Sequence, residues 1–261
     1  MDKRLNLKKK RKWPKIWITV VLIFCYGFGH HHFKLFQSKP RFRLSSNVGG
    51  AGFSHGLAPA PAQHPEAVVQ VYSARVWGAK GALAVHSWIA TKRTNADSYV
   101  VSQIVGWAIS PDGDVLFSQP GIPDKGWYGN PPNLLLDQRG EKAEQLIDQI
   151  ENAISKYPWS DTYSLWPGPN SNTFVSWVGL QVPELGLDLP ATAIGKDWRP
   201  IEQTLYRSAS GSGLQLSIFG MLGASLGYQE GIELNILGLN FEIDLFDLAV
   251  ELPFYGRLGD D

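Results

Sequence analysis

Two groups in this chain could act as a nucleophile and its base. One is the hydroxyl of Ser171, in Pro167-Gly168-Pro169-Asn170-Ser171-Asn172-Thr173-Phe174, where a turn-rich loop runs into the start of a helix. The other is the imidazole of His86, in the strand-like run Ala82-Leu83-Ala84-Val85-His86-Ser87-Trp88-Ile89-Ala90; no histidine follows it. A serine hydroxyl is a weak nucleophile until a positioned base takes its proton. The first turn of a helix leaves backbone N–H groups free, and those near Asn172 could stabilise a developing oxyanion. Side chains alternate along a strand, so Ala82, Ala84, His86, Trp88 and Ala90 share a face. Its small residues leave room for a helix end or a ligand beside His86. Trp88, Trp127, Tyr128, Tyr163 and Trp166, with Asn170 and Asn172, would line a substrate-binding aromatic cleft, and Asp161, Asp137 or Glu141 could orient His86, Asp161 being the first choice. The same residues also have a plain structural reading. Asn and Ser are favoured N-caps, Pro-Gly-Pro-Asn is ordinary turn chemistry, and a strand histidine can simply be hydrogen-bonded in a packed sheet.

A second serine pattern, Gly223-Ala224-Ser225-Leu226-Gly227, matches the nucleophile elbow G-x-S-x-G. That arrangement needs its histidine downstream of the serine, and none follows. Cys25 is the only cysteine of the 261 residues. Intramolecular disulfides, cysteine zinc sites and thiol catalysis in the folded part are therefore excluded. The His30-His31-His32 triplet ends an apolar run, where an interfacial role fits better than a metal site. No cofactor is expected.

These groups need a scaffold. The period-2 runs at Val68–Tyr72, Ala82–Ala90, Tyr99–Ala108 and Asp114–Phe117 predict an antiparallel meander. Glu141 to about Lys156 predicts a helix with Leu146, Ile147, Ile150 and Ile154 on one face. A second helix follows the Ser171 motif and is stopped by Pro183. Residues 184–200 read as irregular. Beyond them Leu214/Leu216/Ile218, Ile232/Leu234/Ile236 and Phe241/Ile243/Leu245 alternate with polar or small residues between Gly-rich turns, which predicts a C-terminal β-meander.

Charge is divided along the chain. Residues 1–45 hold 12 Lys and Arg against one acid, Asp2, and the remainder holds 12 against 23 acids. An acidic body is repelled by phosphates, so nucleic acid is not an expected partner. The basic block precedes the apolar run 16–29, which reads as an uncleaved membrane anchor with residues 1–15 in the cytoplasm and the body in the periplasm. Residues 30–65, ending in Ala58-Pro59-Ala60-Pro61-Ala62, read as a flexible tether. An α+β core domain over 66–200 and the meander over 201–261 complete the expected layout.

Several motifs carry a resemblance. Arg75-Val76-Trp77-Gly78-Ala79-Lys80-Gly81, Ala84-Val85-His86-Ser87-Trp88, Trp127-Tyr128-Gly129-Asn130, Trp166 to Phe174, and Leu187-Asp188-Leu189-Pro190-Ala191-Thr192-Ala193-Ile194-Gly195-Lys196-Asp197 resemble a bacterial family catalogued as domain of unknown function 3750, from about residue 67 to the C-terminus. That resemblance implies no activity. The order of a strand histidine followed by Asn170-Ser171-x-x-Phe174 is also similar to circularly permuted papain-like proteins, namely the PPPDE peptidases and the lecithin retinol acyltransferase group. Ser171 stands where those have cysteine. The likeness implies a hydrolase or acyl/amide transferase using Ser171 and His86, or equally a non-catalytic relative that binds a peptide, glycan or lipid. A third expectation is a structural protein whose meander docks on another envelope protein.

Overall fold

The computed structural model describes residues 52–244, 248–253 and 256–259, all within one compact unit, residues 40–261. The apolar run 16–29 and the histidine triplet lie outside the described residues. Among the described residues, no helix is long and apolar enough to cross a membrane.

Among the described residues the fold is α+β, with two antiparallel sheets and two α-helices. The first sheet holds β1 (Val68–Arg75), β2 (Val85–Lys92), β3 (Tyr99–Ile104), β4 (Leu116–Gly121) and β5 (Pro132–Arg139) in the order β4-β3-β2-β1-β5. Strands β1 to β4 form the predicted meander, although β2 starts later and β3 ends earlier than the apolar runs indicate. Strand β5, in a stretch with no predicted strand, returns to the free edge of β1. Leu134, Leu135 and Leu136 break the period of two there. A register shift opposite Val71/Tyr72 pairs Leu136 and Leu134 with successive β1 residues and skips Leu135.

Helices α1 (Glu141–Ser155) and α2 (Ser171–Gln181) cover one face of this sheet. Helix α1 buries Leu146, Ile147 and Ile150 as its spacing predicts. Helix α2 is buried on most sides, its polar first turn included, with Phe174, Val175 and Val178 packed with Val85 and Ile89 of β2. The other face carries a second cluster around Tyr72, Trp88 and Trp127. It is closed in part by residues 52–65, the last stretch of the expected tether. Here Asp124 Oδ2 accepts hydrogen bonds from Ser54 Oγ at 2.8 Å and from the Leu57 N–H at 2.8 Å, and the Tyr99 hydroxyl donates to Pro59 O at 2.9 Å.

The second sheet is a pure meander: β6 (Leu205–Arg207), β7 (Gly213–Ile218), β8 (Leu222–Gly227), β9 (Gly231–Ile236), β10 (Leu239–Asp244), β11 (Ala249–Leu252) and β12 (Gly256–Leu258) pair in sequence order. Its polarity is inverted. The buried side chains are mostly polar, among them Gln215, Ser217, Ser225, Glu233, Asn235, Asn240, Glu242 and Asp244, while the alternating leucines and isoleucines face outward.

Candidate functional site

The start of α2 is organised by asparagines. Asn170 caps the helix: its Oδ1 accepts the N–H groups of Asn172 at 2.9 Å and Thr173 at 3.2 Å, and Thr173 Oγ1 accepts the Asn170 N–H at 3.0 Å. This capping box uses the backbone donors near Asn172 that were expected to form an oxyanion hole. Asn170 Nδ2 donates to Ile194 O at 3.0 Å. Asn172 Nδ2 donates to Val85 O at 3.0 Å and to Ile194 O at 2.9 Å, and its Oδ1 accepts from Ser87 Oγ at 2.8 Å. The Thr173 hydroxyl donates to Gly195 O at 2.7 Å. These bonds tie β2, α2 and residues 194–195 into one clasp. Gly195 has φ +93°, and a Cβ there would lie 2.3 Å from Asn170 Nδ2, so glycine is required on both counts. Ser171 is buried, and its hydroxyl has no hydrogen-bond partner among the described residues.

The structure does not bring His86 and Ser171 together. Alternation along β2 points Val85, Ser87 and Ile89 at α2 and points His86 and Trp88 at the opposite face. His86 lies flat on Trp127, ring centroids 3.6 Å apart, and its Nε2 donates to Gln103 Oε1 at 3.0 Å. Gln103 thus holds the imidazole in place of the expected Asp161, which is exposed and accepts the Thr162 hydroxyl. Burial pushes the His86 pKa down to about 4, with the nearby Lys125 charge adding to the fall, so the ring is neutral at pH 7.

The expected aromatic cleft divides in the same way. Trp88, Trp127 and Tyr128 gather on the His86 face, joined by Trp107, whose ring centroid lies 5.7 Å from those of both Trp127 and Tyr128, tilted against Trp127 and edge-on to Tyr128. Tyr163 packs against the α-helical face, where its ring fills the space that Gly106 leaves open. Trp166 turns toward the second sheet and donates from Nε1 to Leu237 O at 3.0 Å.

Residues 187–199 join the clasp to the meander. Lys196 Nζ pairs with Glu233 Oε2 at 2.6 Å and Asp197 Oδ1 at 3.2 Å. Asp197 Oδ2 accepts Asn235 Nδ2 at 2.8 Å, its Oδ1 accepts Gln215 Nε2, and its carbonyl accepts the Ser217 hydroxyl at 2.6 Å. Burial beside other carboxylates raises Glu233 to about 8 and Glu242 to about 9, whereas Lys196 and its amide donors keep Asp197 ionised. Ser225 lies mid-strand in β8 on this inner face, so the G-x-S-x-G pattern forms no elbow.

The outer face is apolar across β7 to β10. Register aligns Leu214, Leu226, Ile232 and Ile243 across β7 to β10. Leu216, Ala224, Leu234 and Phe241 form the next row. Leu226 is 65% exposed and Leu234 50%. The tight turns Phe219-Gly220 and Leu237-Gly238 hold bulky apolar residues at φ +52° and +57°, where side chains are disfavoured. The alternation made this meander legible in the sequence but did not show which phase points inward.

An asparagine clasp between an antiparallel sheet and a buried helix, extended by an inside-out meander, defines an α+β protein in which Ser171 and His86 are held on different faces of the first sheet. A family model described as "Protein of unknown function (DUF3750)" matches residues 66–198, just over half of the chain, and the chain belongs to that family. The match contains the whole clasp and stops before β6. Neither the curated proteins nor the solved structures give a match.

Proposed function

We propose that this protein is a non-catalytic docking module that binds through the outer face of its meander. The observation that carries the reading is the row-by-row aliphatic surface on β7 to β10. Monomeric soluble proteins rarely expose a contiguous apolar patch beyond a few hundred Å². Apolar residues at left-handed turn positions point the same way, because Asn or Gly would be cheaper there. The first sheet and α2 serve as the mount: the clasp holds residues 187–199, and these hold the inner face of the meander. The serine hydrolase alternative lacks support from the geometry, since the candidate base faces away from the serine and the candidate oxyanion donors are taken.

In this reading residues 16–29 tether the protein to a membrane, with the basic block on the cytoplasmic side; the charge division supports that orientation. A periplasm-dependent reporter fused after residue 65 should be active, and an inactive fusion would refute the topology. Docking is tested in the host cell by replacing Leu234 or Leu226 of the full chain with a photo-crosslinking amino acid. Adducts should form at both positions and not at Val100, an exposed residue of the first sheet. An equal yield at Val100, or none at the meander positions, would overturn the reading.

A further inference from the structure

We infer that the aliphatic face is covered by the same face of a second copy of this chain, the two meanders stacking as the halves of a β-sandwich. This rests on the docking reading above and names its partner. Size is the first argument. Seven strands about 4.8 Å apart, with central strands six residues long at about 3.3 Å each, give a face of roughly 30 by 20 Å. That footprint of about 600 Å², with side-chain relief added, approaches the roughly 800 Å² that each partner gives to a standard interface. Layering is the second. A sheet must bury its apolar face against another layer, and two sheets do so about 10 Å apart with interdigitating aliphatic side chains. The inner face of this sheet is polar and already covered by residues 187–199, so the missing layer belongs outside.

Composition selects the partner. The rows offer leucine, isoleucine, one alanine and one phenylalanine, the strongly apolar character typical of homodimer interfaces. Across β7 to β10 they present no polar side chain by which an unlike protein would be selected; Arg207 lies at the β6 edge, opposite Leu214. A bilayer surface is disfavoured by charge: residues 201–261 contain nine acids and two basic residues, Arg207 and Arg257. Helices and sheets that lie on anionic membranes carry the opposite balance.

The test uses two differently tagged copies of the full chain expressed together, with the photo-crosslinker at Leu234 in one of them. The expected product carries both tags, at about twice the 28.9 kDa chain mass. Leu226→Glu in the untouched copy should lower its yield at least tenfold, whereas Leu226→Met should preserve it. Unchanged near-ultraviolet circular dichroism would show that the glutamate variant is folded. Adducts that carry one tag only, whether to another protein or to lipid, would overturn the second-copy assignment and leave docking standing. No adduct of any kind would remove both.

Discussion

Ser171 and Asn172 sit side by side at the start of α2 with opposite roles. Asn172 spends three side-chain hydrogen bonds on β2 and on Ile194, the two to β2 fully buried. Asn172→Ala should therefore cost roughly 2–4 kcal/mol in urea unfolding, because it leaves buried partners unpaired. Ser171→Ala should stay within about 0.5 kcal/mol. Neither the parent chain nor this variant should react with a fluorophosphonate probe; labelling that His86→Ala abolishes would restore the hydrolase. His86 itself offers a pH test. Its proton affinity is lowered on folding, so the unfolded chain binds a proton between pH 6.5 and about 4 and the folded chain does not. Stability should fall as pH drops through that window, by on the order of 3 kcal/mol in full. The difference between the parent chain and His86→Gln, followed by urea midpoints at pH 7 and pH 4.5, isolates this effect. The N-cap chemistry of Asn170 was legible in the sequence, as one of two readings. What could not be read was the phase of β2: the sequence places His86 and Ser87 on opposite faces without saying which one α2 covers.

The elements show a similar division between what periodicity reveals and what packing decides. Helix α1 was visible because its solvent face is charged. Strand β5 was hidden because a bulge interrupts its alternation, and the meander was visible as strands with its inward face undetermined. Only the buried charges of residues 187–199 explain why Gln215, Glu233 and Asn235 point inward, and their partners lie up to 38 residues away in sequence. Residues 194–195 read as irregular loop, yet they receive hydrogen bonds from three side chains of the α2 start. Gly195→Ala should thus be costly, roughly 2 kcal/mol or more, from the strained φ together with the Asn170 clash. A thermal midpoint within a degree of the parent would show that the clasp yields. Phe174→Ala, at the centre of the helix–sheet contact, should cost about 3–5 kcal/mol.

At the scale of the whole molecule, the inner face of the meander ties stability to alkaline pH. Glu242 is held protonated by burial up to about pH 9, against 4.5 for an ordinary glutamate. The stability linked to it is complete below pH 4.5 and drains away as pH rises from there to about 9. Unfolding midpoints should accordingly decline from pH 7 to 9, and Glu242→Gln should flatten the decline; a slope unchanged by that substitution would mean the carboxyl is already ionised. The layout of residues 187–199 bears on heredity as well as energy. The segment recognisable by family ends at Trp198, directly after Lys196 and Asp197, which pair with each other and whose further partners Glu233, Gln215 and Asn235 lie in the meander beyond. A gene fusion or truncation cut at that border would remove those partners, open a buried ion pair to solvent and strip the cover from α2. The stretch by which descent is traced is therefore smaller than the stretch that can be inherited as a working part.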